Sequence, residues 1–209
     1  MLTAAQLLGF LVAAILITAT PGPDNLMVLG MGMSRGRRQG IAFGLGCGLG
    51  CLSHTLLAVV GVSALVAASP VAFTALKWVG GAYLIWLGIQ ALRSTGTGGV
   101  AATHAAPAQS LLSLFFKGMF ANAINPKVVL FFLSFLPQFV VPAQGQVALQ
   151  LGLLGLAFTV QAALLFGLLG YFAGSIGAWL SRRPRAGLWL DRIAGAVFVG
   201  LGLKMLSGR

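Results

Sequence analysis

The 209 residues are 58% hydrophobic and 7% charged, with a mean hydropathy of +0.98. That composition excludes a water-soluble domain, and at about 20 apolar residues per span the chain accommodates six spans in a single domain over residues 1–209. Thirteen Lys and Arg against two acids give a net charge of +11. In a soluble protein that balance suggests nucleic acid, but here the bases gather at the ends of apolar runs, so the expected partner is the lipid bilayer and not nucleic acid.

Helix 1 is expected from about Thr3. Its apolar core lacks the basic flank of a cleaved signal peptide, since Arg35 is the first base. The run Leu7 to Thr18 is interrupted by Thr20-Pro21-Gly22-Pro23-Asp24-Asn25 and resumes from Leu26 to Met33. Two prolines remove backbone donors and clash with the preceding turn, so no continuous helix passes through them. Bare backbone at membrane depth is tolerated only inside protein or beside a cavity. Asp24 stands at this break, where a charge costs roughly 2.5–3.5 kcal/mol on insertion scales, and is read as part of a binding site.

Arg35, Arg37 and Arg38 are expected to close helix 1 in a short loop, with helix 2 running from about Gly40 to Ala68. Gly40, Gly44 and Gly48, matched by Gly167, Gly170, Gly174 and Gly177 in helix 5, read as close-packing stripes. Cys47, Cys51 and His54 share a face of helix 2 as a set that a soft metal ion would accept. One straight helix rarely presents three ligands to one ion, so no metal or cofactor is expected. His54 remains a candidate for moving protons, beside the plainer reading of a structural hydrogen bond. The adjacent Ser53 makes no hydrolytic dyad with it, because helix neighbours point roughly 100° apart.

Helix 3 is expected over about Ala72 to Leu92, followed by a Gly-, Ala-, Thr- and Ser-rich linker over about 94–110. Helix 4, about Leu111 to Phe139, is interrupted in its turn by Asn122-Ala123-Ile124-Asn125-Pro126-Lys127. Helix 5 follows from about Val147 to Leu180 and helix 6 from about Leu188 to Leu206. The basic loops after helices 1, 3 and 5 are cytoplasmic by the positive-inside rule, which leaves both termini outside. Trp78, Trp86, Trp179 and Trp189 lie towards helix ends, at headgroup level.

Setting Pro23 over Pro126 places Gly22 opposite Asn125 and Asp24 opposite Lys127, and helices 3 and 6 align without gaps, Gly81 over Gly195 and Gly88 over Gly202. Three helices per repeat is odd, so the halves, about 1–93 and about 111–209, must be inserted in opposite senses. The expected fold is all-α integral membrane: six transmembrane helices as two inverted three-helix repeats, with helices 1 and 4 broken at their proline motifs. Lys127 beside a helix start opposes the helix dipole. A side chain that breaks a local rule points to function, so Met in its place is expected to cost nothing structural. Asn122, Asn125 and Gln161 add polar groups at membrane depth, with interhelical hydrogen bonding as the plainer role. Asp191 is read as a local ion partner of the nearby arginines. No nucleophile and base stand in reach of each other, so no enzyme activity is expected.

With these motifs in view, the chain resembles the LysE/RhtB family of amino-acid exporters over nearly its whole length. The resemblance rests on Thr20-Pro21-Gly22-Pro23-Asp24 before a glycine-rich helix, Lys77-Trp78-Val79-Gly80-Gly81-Ala82-Tyr83-Leu84, and Asn125-Pro126-Lys127 leading to Pro137-Gln138-Phe139. It implies a bacterial inner-membrane protein that exports amino acids at the expense of the proton gradient, closest to the threonine, homoserine and leucine branch. Two acids offer little to hold a dibasic substrate, so a neutral amino acid or close derivative is expected. The substrate would meet Asp24, Asn25, Asn122, Asn125, Lys127 and Gln161, with Asp24 and His54 as proton-coupling candidates. Export of a soft metal ion through Cys47, Cys51 and His54 is the alternative, and the oligomeric state, a homo-oligomer included, stays open.

Overall fold

The computed structural model describes residues 2–94 and 109–207, and among these every regular element is helical. The expected linker, apart from its two ends, lies outside the described residues.

Helix α1, Ala4–Ala19, starts on a reciprocal cap: the Thr3 hydroxyl accepts from the Gln6 amide at 3.2 Å, and the Gln6 side chain accepts from the Thr3 amide at 2.8 Å. Helix α2, Pro23–Arg35, follows at an angle of 56°, with Gly22 at its cap and Pro23 in its first turn. Gly36, at φ +100°, alone separates α2 from α3, Arg37–Leu57. The loop expected over Arg35 to Arg38 is therefore a single residue, because glycine adopts this backbone at no steric cost, and Arg37 and Arg38 belong to the first turn of α3. A π-helical turn, Ala58–Val62, carries the chain into α4, Ser63–Ala68. Ser69 then caps α5, Pro70–Arg93, accepting from the Ala72 amide.

Helix α6, Leu111–Ala123, is followed by α7, Pro126–Leu130, which continues through a π turn and a 3-10 turn to Phe139, and the bend at this junction is 53°. Gln150 ties down the next loop, accepting from the Val141 amide and donating to the Val141 and Gly145 carbonyls. Helices α8, Val147–Arg182, and α9, Pro184–Ser207, complete the chain. Among the described residues, four helices are long and apolar enough to cross a membrane, and up to six if each bent pair counts as one span.

Helix α3 is the centre of the packing, with α8 on one side and α6 on the other, while α5 and α9 pack on each other. Glycine decides each contact. Gly40, Gly44 and Gly48 lie against Gly170, Phe166 and Ala163 of α8, and Gly46 and Gly50 lie against Phe115 and Met119 of α6. Between α5 and α9, Gly81 meets Gly202 and Gly88 meets Gly195. A side chain at any of these positions would strike facing backbone or a packed neighbour. The stripe on α8 is not uniform, since Gly170 and Gly177 are in tight contact but Gly174 faces open space.

Gly170→Val is expected to cost about 1–3 kcal/mol or more by overpacking. Gly174→Ala should be neutral or stabilising by up to about 1 kcal/mol through helix propensity. Thermal unfolding of the two variants in detergent checks the difference.

Candidate functional site

Each proline that ends a helix removes the donor for the carbonyl four residues earlier. Pro21 leaves the Ile17 carbonyl without its helical partner, and Pro126 does the same to Asn122. A side chain takes the place of the missing donor at Ile17, and at Asn122 one adds to the bond that the carbonyl already accepts from the Asn125 amide at 2.9 Å. Lys127 Nζ donates to the Ile17 carbonyl at 3.1 Å and to the Thr20 carbonyl at 3.0 Å. His54 Nε2 lies 3.1 Å from the Asn122 carbonyl. A carbonyl only accepts, so Nε2 is the donor, which leaves Nδ1 as the atom that accepts a proton.

This corrects the expectation that Lys127 contributes nothing structural. Its amide sits at a helix start, where the Asn125 side chain accepts from it at 3.0 Å. Its ammonium, however, reaches the C-terminal end of α1, where carbonyls concentrate negative charge. Gly22 makes the approach possible, since a Cβ there would stand 2.9 Å from Nζ. The Phe198 ring of α9 lies 5.8 Å from the same ammonium.

Asp24 does not pair with Lys127. It is fully buried, and its Oδ2 accepts from Asn122 Nδ2 at 2.7 Å. Asn122 is a hub: besides Asp24 it meets His54 through its carbonyl and takes the Cys51 thiol on its Oδ1 at 3.5 Å. Gly50 leaves it room, because a Cβ there would approach the Asn122 side chain to 2.9 Å. A second network centres on Thr18, whose carbonyl accepts from Asn25 Nδ2 and whose hydroxyl accepts from Gln161 Nε2, both at 2.9 Å. Thr18 is a site residue that the sequence reading passed over; the signal available was its place in the last turn before Pro21.

Several buried atoms of these residues have no hydrogen-bond partner in the protein: Asp24 Oδ1, Asn25 Oδ1, Gln161 Oε1, Asn125 Nδ2 and His54 Nδ1. Buried polar atoms are rarely left unpaired, and here they cluster on the residues that surround the two breaks.

The space around them is uneven. An inner cavity of about 10 Å³ touches Thr18, Asn122, Lys127, Phe131, Phe158 and Phe166, at or below what one water molecule needs. A recess of about 260 Å³ includes Thr18 and Asn25. Beyond it, a vestibule of about 820 Å³ runs from Pro21, Gly22 and Asn25 to Ser94 and Asp191. Asp191 accepts from the Ser94 hydroxyl at 2.6 Å, so its partner across α5 and α9 is a hydroxyl in place of the expected arginine. In the opposite direction, Phe10, Phe131, Phe135, Phe139 and Phe158 fill the interior with rings at centroid distances of 5.1–6.4 Å.

Cys47 and Cys51 are buried and reduced. Cys51 is directed at Asn122 and His54 at the neighbouring carbonyl, and among the described residues no three His, Cys, Asp or Glu side chains form a metal-binding group.

The family model described as LysE type translocator matches residues 15–209. The homoserine/homoserine lactone efflux protein of Salmonella typhimurium is 34% identical over 201 residues, 96% of each chain. The leucine efflux protein of Klebsiella pneumoniae is 28% identical over 96% of this chain and 94% of its own. A membrane protein of Vibrio cholerae of unassigned activity is 31% identical over 97% of both. No solved structure matches the chain. With full-length relatives of this kind and several apolar helices of spanning length, the protein is a multi-pass membrane protein that belongs to the LysE type translocator family.

Proposed function

We propose that the protein exports a neutral amino acid or close derivative, of the threonine, homoserine and leucine class, from the cytoplasm of a bacterial cell across its inner membrane. The observation that carries this reading is the set of buried unpartnered acceptors on residues around the two breaks, Asp24 Oδ1, Asn25 Oδ1 and Gln161 Oε1, together with the buried ammonium of Lys127. An α-ammonium has three N–H donors for such acceptors, and the α-carboxylate suits Lys127 and the free Asn125 Nδ2. The names of the Salmonella and Klebsiella relatives support the substrate class. Export of a soft metal ion is not favoured.

In this reading the vestibule is the cytoplasmic entrance, since it opens at Ser94 and Asp191 beside the basic helix ends, and the phenylalanine cluster is the closed outer gate. The substrate passes Asn25 and Thr18 and enters the inner cavity only as Lys127 releases a carbonyl to take the carboxylate. Six spans in two inverted repeats give both termini an outside position. The packing of α5 and α9 supports that symmetry: Gly81 and Gly195 are counterparts, as are Gly88 and Gly202, and the contacts run crosswise, Gly81 to Gly202 and Gly88 to Gly195, as a two-fold axis requires. The vestibule separates the α5–α9 pair from α2 and α8, so the pair rocks as one body against the bundle around α3.

Asp24 carries the coupling proton. The substrate ammonium and the proton take turns on one atom, the buried and unpartnered Asp24 Oδ1. His54 Nδ1 is the acceptor through which that proton moves on.

Vesicles loaded with labelled threonine, homoserine, leucine and lysine test the function. The three neutral substrates should leave faster with the protein present and lysine should not; lysine efflux alone would overturn the proposal. Asp24→Asn should still exchange labelled substrate but fail to concentrate it under an imposed pH gradient. Accumulation at the wild-type rate would remove Asp24 from coupling. Lys127→Met should lose roughly 1.5–3 kcal/mol of stability from its charge-assisted hydrogen bonds and should also lose export. A destabilised protein that exports at the wild-type rate would make Lys127 purely structural.

A further inference from the structure

Helices α8 and α9 meet at Arg183, the one residue between Arg182 and Pro184. Beside this corner lies an open groove of about 700 Å³ lined by Trp179, Arg183, Arg185, Trp189, Leu190 and Ile193, with Ala186 at its floor. The lining is graded. Arg185, Trp189 and Ile193 are spaced by four on α9 and so form one row along the helix, which passes from a cation through an indole to an aliphatic side chain. Trp179 in the last turn of α8 and Arg183 just past its end, also four apart, repeat the first two steps. The Arg183 guanidinium lies 5.8 Å from the Trp179 ring, and Arg192 lies at the same distance from the Trp189 ring. The chain has two acids; Asp24 is buried at the helix breaks and Asp191 accepts from Ser94 on the vestibule side, so neither lies in the lining.

We infer that this groove binds an anionic phospholipid of the adjoining leaflet. The order of its lining follows the order of groups in a lipid: phosphate at Arg183 and Arg185, the ester region at the two indoles, an acyl chain along Leu190 and Ile193. Charge complementarity selects the anionic headgroup, indoles favour the interfacial level, and the exposed aliphatic row excludes a purely soluble anion as the fitting occupant. Leu190 also lines the vestibule, so the bound lipid stands behind the first turns of α9, on the other side of the wall that bounds the proposed entrance. Binding of the lipid does not depend on what the protein transports; only its placement in the cytoplasmic leaflet rests on the proposed orientation.

The purified full-length protein in mild detergent tests this by native mass spectrometry and thermal unfolding, titrated separately with phosphatidylglycerol, phosphatidylcholine and glycerol 3-phosphate. Phosphatidylglycerol should bind and raise the melting temperature, phosphatidylcholine should bind at least tenfold more weakly, and glycerol 3-phosphate should neither bind nor compete. The double variant Arg183→Gln, Arg185→Gln should lose at least tenfold in phosphatidylglycerol affinity. Trp189→Ala, which keeps both charges, should weaken binding of the diacyl lipid as well. Equal retention of the two lipids, competition by glycerol 3-phosphate, or wild-type affinity in the double variant would each overturn the inference.

Discussion

The backbone of this protein is interrupted within two apolar helical segments, and the rest of the site follows from that constraint. Pro21 leaves the Ile17 carbonyl without its helical donor, and Pro126 leaves that of Asn122 with a tighter bond from the Asn125 amide at 2.9 Å. An unsatisfied carbonyl at membrane depth costs several kcal/mol, so the first is met by a side chain from elsewhere, Lys127, and the second gains a further contact from His54. The remedies cross over. A residue of the second break closes the first, and Asn122, one turn before Pro126, holds the carboxylate of Asp24 at the first. Each break thus supplies polar groups to the other.

Such an arrangement makes structure and recognition compete for the same atoms. Lys127 spends two of its protons on carbonyls, and Asn25 and Gln161 spend their amides on Thr18, so what is left over is mainly acceptor oxygen. A ligand with an ammonium adds bonds without breaking any, whereas its carboxylate finds one remaining Lys127 proton and gains a second only by displacing a carbonyl. Ammonium binding is the easier first step, and engagement of the carboxylate is the one coupled to movement of α1.

Much of this was legible in the sequence. The helices and both interruptions follow from apolar run length and from proline, and Asp24 drew notice because a lone acid in such a run is costly. The partners were not legible. That Lys127 would point back to the end of α1 needs Gly22 and the 56° bend, and neither the angle nor the clearance can be read from spacing. Asp191 was assigned to the arginines around it by proximity in the chain, but α5 brings Ser94 closer. The glycine stripes were read correctly as packing, yet a period of four does not reveal that Gly174 faces open space while Gly170 touches α3.

The division of the chain into repeats also misleads about its moving parts. Sequence symmetry invites a picture in which residues 1–93 rock against 111–209. The closest contacts join members of different halves, α3 to α8 and to α6, and α5 to α9, and each is a glycine-lined crossing where backbone meets backbone. Separating the halves would break every one of these crossings together, whereas swinging the α5–α9 pair breaks none of them. The vestibule lies along that softer boundary. At the other end the pair is held against the α7 segment, where Gly80 fits beside Ser134 and Met205. In the proposed transport cycle a body held at one end and free at the other opens by tilting, and Lys127, 5.8 Å from the Phe198 ring of α9, lies where that tilt would reach the breaks.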